Sequence, residues 1–171
     1  THEGERDDTM LLALTRFDNI GCVVIGQDKD AQTPEAQMGP GALRTARRGM
    51  RLAQELGLGL VTFIDTPGAE LSQSAEEGAM AGEIARCIAT MSTLDTPTVS
   101  VLLGQGTGGG ALALLPADVT IAAQHSWLSP LPPEGASAIV PEYESDTPAD
   151  LGQAIAAEVG FCLRELGADT R

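Results

Sequence analysis

The chain is most constrained by eleven consecutive residues, Gly104-Gln105-Gly106-Thr107-Gly108-Gly109-Gly110-Ala111-Leu112-Ala113-Leu114. An apolar, β-rich run from Thr98 to Leu103 leads into them, and their last four residues begin the helix-forming run Ala111-Leu112-Ala113-Leu114-Leu115. A strand, a glycine loop and a helix start place unpaired backbone N–H groups where the chain turns. Such groups bind anions, including the oxyanion that develops on a carbonyl during reaction. Five glycines among the seven residues 104–110 let that backbone approach a ligand closely. A plain flexible turn is the alternative, and the flanking strand and helix patterns favour the ligand-facing loop.

Composition narrows the classes. A length of 171 residues corresponds to about one domain. Apolar residues make up 43% of the chain and aromatic ones only 3%, so the core must be aliphatic. A net charge of −14 disfavours nucleic acid and anionic membrane surfaces as partners. Cys22, Cys87 and Cys162 are far apart in apolar surroundings and show neither metal spacing nor a disulfide framework. They read as small core residues in a reducing cytoplasm. Asp65 and Asp118 interrupt the longest apolar stretches, so no transmembrane span and no signal peptide is expected. Residues 1–8, mostly polar and beginning with Thr1, are expected to form a loose N-terminus on one domain over 9–171, a segment of a longer protein or a processed piece.

Along the chain, apolar runs Thr9–Phe17 and Gly21–Ile25 joined by Asp18-Asn19 predict a hairpin. A polar loop, 27–41, precedes a helix from about Gly41 to Leu56, on which Leu43, Ala46, Met50 and Ala53 share a face and after which Gly57 and Gly59 stop the chain. Leu60–Asp65 reads as a strand covered on both faces. Ser74 with Glu77 fits a capping box opening a helix with an apolar stripe of Met80, Ile84, Cys87, Ile88 and Met91, ended by Pro97. Further expectations are a strand over Asp118–Ala122, a proline-rich turn over Ser129–Gly135, and a last helix opened by Thr147 and Asp150, running to Leu166 and capped by Gly167. Strands alternating with helices give an α/β class with a largely parallel sheet.

Two stretches carry a family likeness. One is Val61-Thr62-Phe63-Ile64-Asp65-Thr66-Pro67-Gly68-Ala69 with Ala75-Glu76-Glu77-Gly78; the other is Gly104–Leu114 with Pro132-Pro133-Glu134-Gly135-Ala136-Ser137. Their order and spacing resemble the carboxyltransferase component of acyl-CoA carboxylases, and more closely the α-subunit type of bacterial acetyl-CoA carboxylase. The resemblance implies the crotonase-like (ClpP/crotonase) fold, a spiral of β-β-α units. It implies transfer of CO₂ from carboxybiotin, carried on a separate protein, to the α-carbon of an acyl-CoA, giving malonyl-CoA or a homologue. Two oxyanions then need donors, the thioester enolate and the biotin ureido oxygen. This chain looks like the α-type, biotin-facing half. Its implied partners are a β-type half that holds most of the CoA, a biotin carboxyl carrier protein and a biotin carboxylase, in an oligomer. By the same likeness Gly109, Gly110 and Ala111 match the Gly-Gly-Ala whose N–H groups form the oxyanion hole, and Gly68, Ala69, Gly106 and Gly108 would line the substrate and biotin. No metal is implied. The chain departs from the usual pattern at Thr107 and Gly108, where glycine and serine are common, and at Gln105, where an acid is.

Other candidates have plainer readings. Asp65 either lines the cleft or caps N–H groups of its own turn. Arg44, Arg47, Arg48 and Arg51 lie on one helical face. They either hold CoA phosphates or an acidic partner, or form a solvated face with Arg51 reaching Glu55. Glu134 is either a helix-start charge or the general acid/base of a crotonase-type hydratase. His125, next to Ser126 and Trp127, is expected to be structural. A Clp-type serine protease needs a serine beside the glycines, and none occurs between Ser100 and Ser126. A non-catalytic interaction subunit is the remaining alternative.

Overall fold

The computed structural model describes residues 7–70, 72–129 and 159–166. The hairpin forms as expected: β1 (Met10–Phe17) pairs antiparallel with β2 (Ile20–Gln27). Asp18 and Asn19 turn it with φ of 48° and 66°, a left-handed pair whose twist matches that of the flanking strands. Helix α1 (Pro40–Leu56) begins on Pro40, whose missing N–H has no helical acceptor to lose, and ends on left-handed Gly57. The chain returns as β3 (Gly59–Thr66), parallel to β2.

One expected helix is two. Ser74 falls inside the short α2 (Gln73–Glu77) and not before it, and the Ser72 hydroxyl accepts the Ala75 N–H at 3.1 Å where that helix opens. Ala79 then takes a left-handed φ of 64°, and α3 (Met80–Met91) restarts beyond it. Helix α3 ends at Ser92, well before Pro97. Strand β4 (Thr98–Thr107) is longer than expected, because the first half of the glycine segment stays extended against its neighbours. Only then does α4 (Gly108–Leu112) begin. β5 (Val119–Ala122) follows, and a strand not foreseen, β6 (Trp127–Ser129), pairs with the end of β4. The sheet order is β1-β2-β3-β4-β5, with β6 beside β4, and all pairings after the hairpin are parallel. Residues 159–165 are helical. The Ser129–Gly135 turn beyond Ser129, Glu134, the Thr147 and Asp150 box and the Gly167 cap lie outside the described residues.

Both faces of the sheet are covered, as the continuous apolar character of β3 predicts. Val23, Ile25, Leu60, Ile64 and Leu102 pack against Leu43, Ala46 and Met50 of α1, Met80, Cys87 and Met91 of α3, and Ala111. Their alternates Cys22, Val61, Val99 and Val101 pack against Val159, Cys162 and Leu163. Burial pushes the thiols of Cys22 and Cys87 up to about 11, so both remain protonated core groups.

The arginine face resolves differently from either expectation. Buried Glu83 of α3 receives Arg47 at 3.2 Å, Arg44 at 3.7 Å and Arg86 at 3.1 Å. Half of the α1 stripe therefore neutralises a carboxylate between α1 and α3, while Arg48 and Arg51 remain exposed. Among the described residues, no helix is long and apolar enough to cross a membrane.

Candidate functional site

Two turns meet at the carboxyl ends of β3 and β4, the end at which open parallel sheets characteristically bind ligands. The first is Thr66-Pro67-Gly68-Ala69. Gly68 has φ 133°, a backbone state that only glycine adopts without strain. The second is the junction of β4 and α4, where Gly108 has φ 62°. They lie side by side. A Cβ added to Gly68 would stand 3.7 Å from Thr107 Cγ2, and one added to Gly110 would stand 3.6 Å from Ala69 Cβ. The seven glycines and alanines expected at the site, Gly68, Ala69, Gly106, Gly108, Gly109, Gly110 and Ala111, are thus brought to one end of the sheet.

Close packing fixes α4 in place. Space for a side chain is lacking at Gly109, where a Cβ would come 2.6 Å from Ile84 Cδ1, and at Gly110, where it would collide with Met38 Cε. The hydroxyls of Thr62 and Ser100 both reach the Leu114 carbonyl, at 2.9 and 2.8 Å, and anchor the far end of the α4 turn to β3 and β4. First-turn N–H groups of a helix have no intrahelical acceptor, and those of Gly109 and Gly110 belong to this class, whereas Ala111 stands four residues past Thr107, whose carbonyl takes the first intrahelical bond.

Side chains that the sequence did not single out hold the arrangement. The buried Gln27 amide at the end of β2 donates to the Gly110 carbonyl at 2.8 Å and accepts the Asp65 N–H at 3.1 Å. Gln32 donates to the Asp65 carbonyl at 3.1 Å and accepts the Thr66 hydroxyl at 2.5 Å. Thr66 Oγ1 in turn accepts the Gly68 N–H at 3.1 Å, so that N–H is held inside the turn. Met38 bridges to Ala69 by backbone pairing. A polar residue closing an apolar strand, as Gln27 does, was the available signal.

Asp65 serves neither its own turn nor an open cleft. Its Oδ1 accepts the Gln105 N–H at 3.0 Å, and Lys29 approaches it at 3.6 Å. The register explains this. Ile64 pairs with Leu102 and Thr66 with Gly106, so β4 carries a bulge around Gly104 and Gln105. The carboxylate fills the gap in the ladder, and Gly104 leaves the room it needs, since a Cβ there would lie 2.9 Å from Asp65 Oδ1. His125 sits in the exposed turn after β5. No group of His, Cys, Asp and Glu among the described residues is arranged to hold a metal ion.

What the arrangement offers is a set of main-chain donors at a sharp, tightly packed junction, with Asp65 tied to Lys29 and the Gln105 N–H. That suits an oxygen ligand that is, or becomes, negatively charged.

Comparison with known proteins gives the family and the fold. Residues 2–156 match the family model described as acetyl co-enzyme A carboxylase carboxyltransferase-like. The chain is 59% identical over 140 residues to the probable biotin-dependent acyl-coenzyme A carboxylase beta3 subunit of Mycobacterium tuberculosis, covering 82% of this chain and 28% of that protein. It is 40% identical over 141 residues to the acetyl-coenzyme A carboxylase carboxyl transferase subunit alpha of Paraburkholderia phymatum, covering 78% of this chain and 44% of that one. The chain thus spans less than half the length of these relatives. Among solved structures, transcarboxylase 12S superposes with a TM-score of 0.75 at 18% identity over 93% of this chain and 36% of its own. The beta subunit of Pseudomonas aeruginosa geranyl-CoA carboxylase gives 0.67 at 14% identity, over 94% and 30%. These likenesses establish the α/β, crotonase-like fold.

Proposed function

This chain belongs to the acetyl co-enzyme A carboxylase carboxyltransferase-like family, and from that premise we propose that it forms one half-site of a biotin-dependent acyl-CoA carboxyltransferase. The observation that carries the proposal is the meeting of the Gly68-Ala69 turn with the Gly108–Ala111 junction under the grip of Gln27. In this reading the N–H groups of Gly109 and Gly110, with Ala111 packed behind them, receive an oxygen that gains negative charge as the carboxyl group moves. Carboxybiotin, brought by a separate carrier protein, supplies that carboxyl group, and a short acyl-CoA accepts it. The residues fit such a ligand: the junction presents donors, and the Asp65 carboxylate is engaged by Lys29 and the Gln105 N–H. Gly68, Ala69, Gly106 and Gly108 keep the backbone close enough for contact. The chain itself contributes position and hydrogen bonds, with no side-chain nucleophile.

The thioester is expected to rest mainly on a second, β-type half. The two relatives allow two sources for it. One bears an alpha name, as expected for a separate subunit. The other is longer: 140 residues make up 28% of it, hence about 500 residues (140/0.28), room for a second unit of this size in one polypeptide. The experiment is a malonyl-CoA:biocytin transfer assay on the 171-residue segment, on the segment with a β-type half, and on the full-length protein. The segment alone is expected to be inactive, with turnover appearing in the other two. Efficient turnover by the isolated segment, or none in any arrangement, contradicts the half-site reading.

A further inference from the structure

Every buried hydroxyl among the described residues has a partner except one. Thr9 reaches Asp7, Thr62 and Ser100 reach Leu114, Thr66 reaches Gln32, Thr96 reaches Leu58, and Thr98 reaches Asp118. Thr107 is 1% exposed, and its Oγ1 has no hydrogen-bond partner. It stands immediately before α4, where a threonine ordinarily accepts a helix N–H, yet makes no such bond. Valine has the same shape, is at least as good a strand former, and would leave no polar atom stranded. The hydroxyl is therefore a loss to the folded chain unless something else uses it. Its place is informative: the side chain lies at the seam between the two turns of the site, with its methyl toward Gly68.

We infer that the Thr107 hydroxyl is a ligand-binding group of this site, donating to a carbonyl-type oxygen, ureido or thioester, that binds at the junction of β4 and α4. The inference rests on the function proposed above and adds a side-chain donor to its main-chain set. A hydroxyl suits the role, since its proton rotates to meet the acceptor and it carries no charge that must be neutralised when the site is empty.

The test uses the full-length protein, in the complex that carries out transfer, with Thr107→Val and Thr107→Ser. Without ligand, the valine variant is expected to melt at or above the wild-type temperature. With biocytin or with acetyl-CoA, its ligand-induced rise in melting temperature is expected to be smaller than wild type, while serine retains most of it. The arm that is weakened identifies the oxygen. Transfer by the valine variant is expected to fall by roughly 2- to 12-fold in kcat/KM, the worth of one neutral hydrogen bond, with a raised KM for the ligand whose melting response is weakened. A valine variant that melts below wild type, wild-type responses in both arms, or no response of the wild type to either ligand overturns the inference. Ligand responses without transfer sink the carboxyltransferase reading alone. Transfer with a full-speed valine variant sinks the inference alone.

Discussion

The two ends of the parallel strands are built on opposite plans. At the amino ends of β3 and β4, polar groups close on one another locally. The Thr98 N–H and hydroxyl meet Asp118 at 2.8 and 2.7 Å, the Asp118 N–H returns to Thr98 at 2.9 Å, and Thr96 binds the Leu58 carbonyl. No bulge is needed there, and the left-handed glycine before β3, Gly57, serves to end α1. At the carboxyl ends, two glycines take positive φ, β4 bulges, α4 is pressed onto Met38 and Ile84, and one hydroxyl is left without a partner. Every buried polar group satisfied is the signature of an end made for stability. Local strain with an orphaned group marks an end made for something outside the chain.

Mutations should separate the two plans. The largest effect is expected from Gly110→Pro, which removes a first-turn N–H and fixes φ. Transfer by the assembled enzyme should fall on the order of 10²-fold or more, as for loss of an oxyanion donor. Gly110→Ala keeps the N–H but meets Met38, so it serves as the packing control and should lose less. Equal losses in the two variants would make Gly110 a packing residue only. Next comes Gln27→Leu, which strands the Gly110 carbonyl and the Asp65 N–H at about 1–3 kcal/mol each. Melting temperature and turnover should fall together, and unchanged turnover per folded molecule would show that the clamp does not position the site. The smallest effect is expected from Asp118→Ala, at about 1–3 kcal/mol in stability. Denaturation should shift while specific activity holds; a drop in activity would end the division between the two ends.

Much of the framework was legible because local chemistry and tertiary structure agree. Asp18-Asn19 tolerates the left-handed turn, Pro40 and Gly57 bracket α1, and unbroken apolar residues mark β3. What escaped notice depends on distant partners. Gly106 looks like loop, but pairing with Thr66 of β3 and Leu128 of β6 holds it in a strand, and Gly104 lies in the bulge of that same strand. The left-handed residue at the break is Ala79 and not the neighbouring Gly78, the residue type that favours that conformation. Glu83 on the apolar stripe of α3 was a visible anomaly whose answer, Arg44 and Arg47, lies on another helix. The glycines of the site were readable by their type. Gln27 and Gln32, which hold them, were not, because a glutamine carries no mark of what its amide will find.

The Gln27 amide also sets an order of events. It joins residues 83 positions apart, and its second bond reaches Asp65 on the strand between. Contacts so distant in sequence form only after the entropy of closing the intervening chain has been met. The hairpin can close on its own and α1 can dock on it, but the grip on α4 must wait until β3 and β4 are both in register. A polypeptide leaving the ribosome holds its hairpin and first helix long before Gly110 exists to be bound. The Gly110 end of the sheet is therefore expected to acquire its shape later than the hairpin and α1.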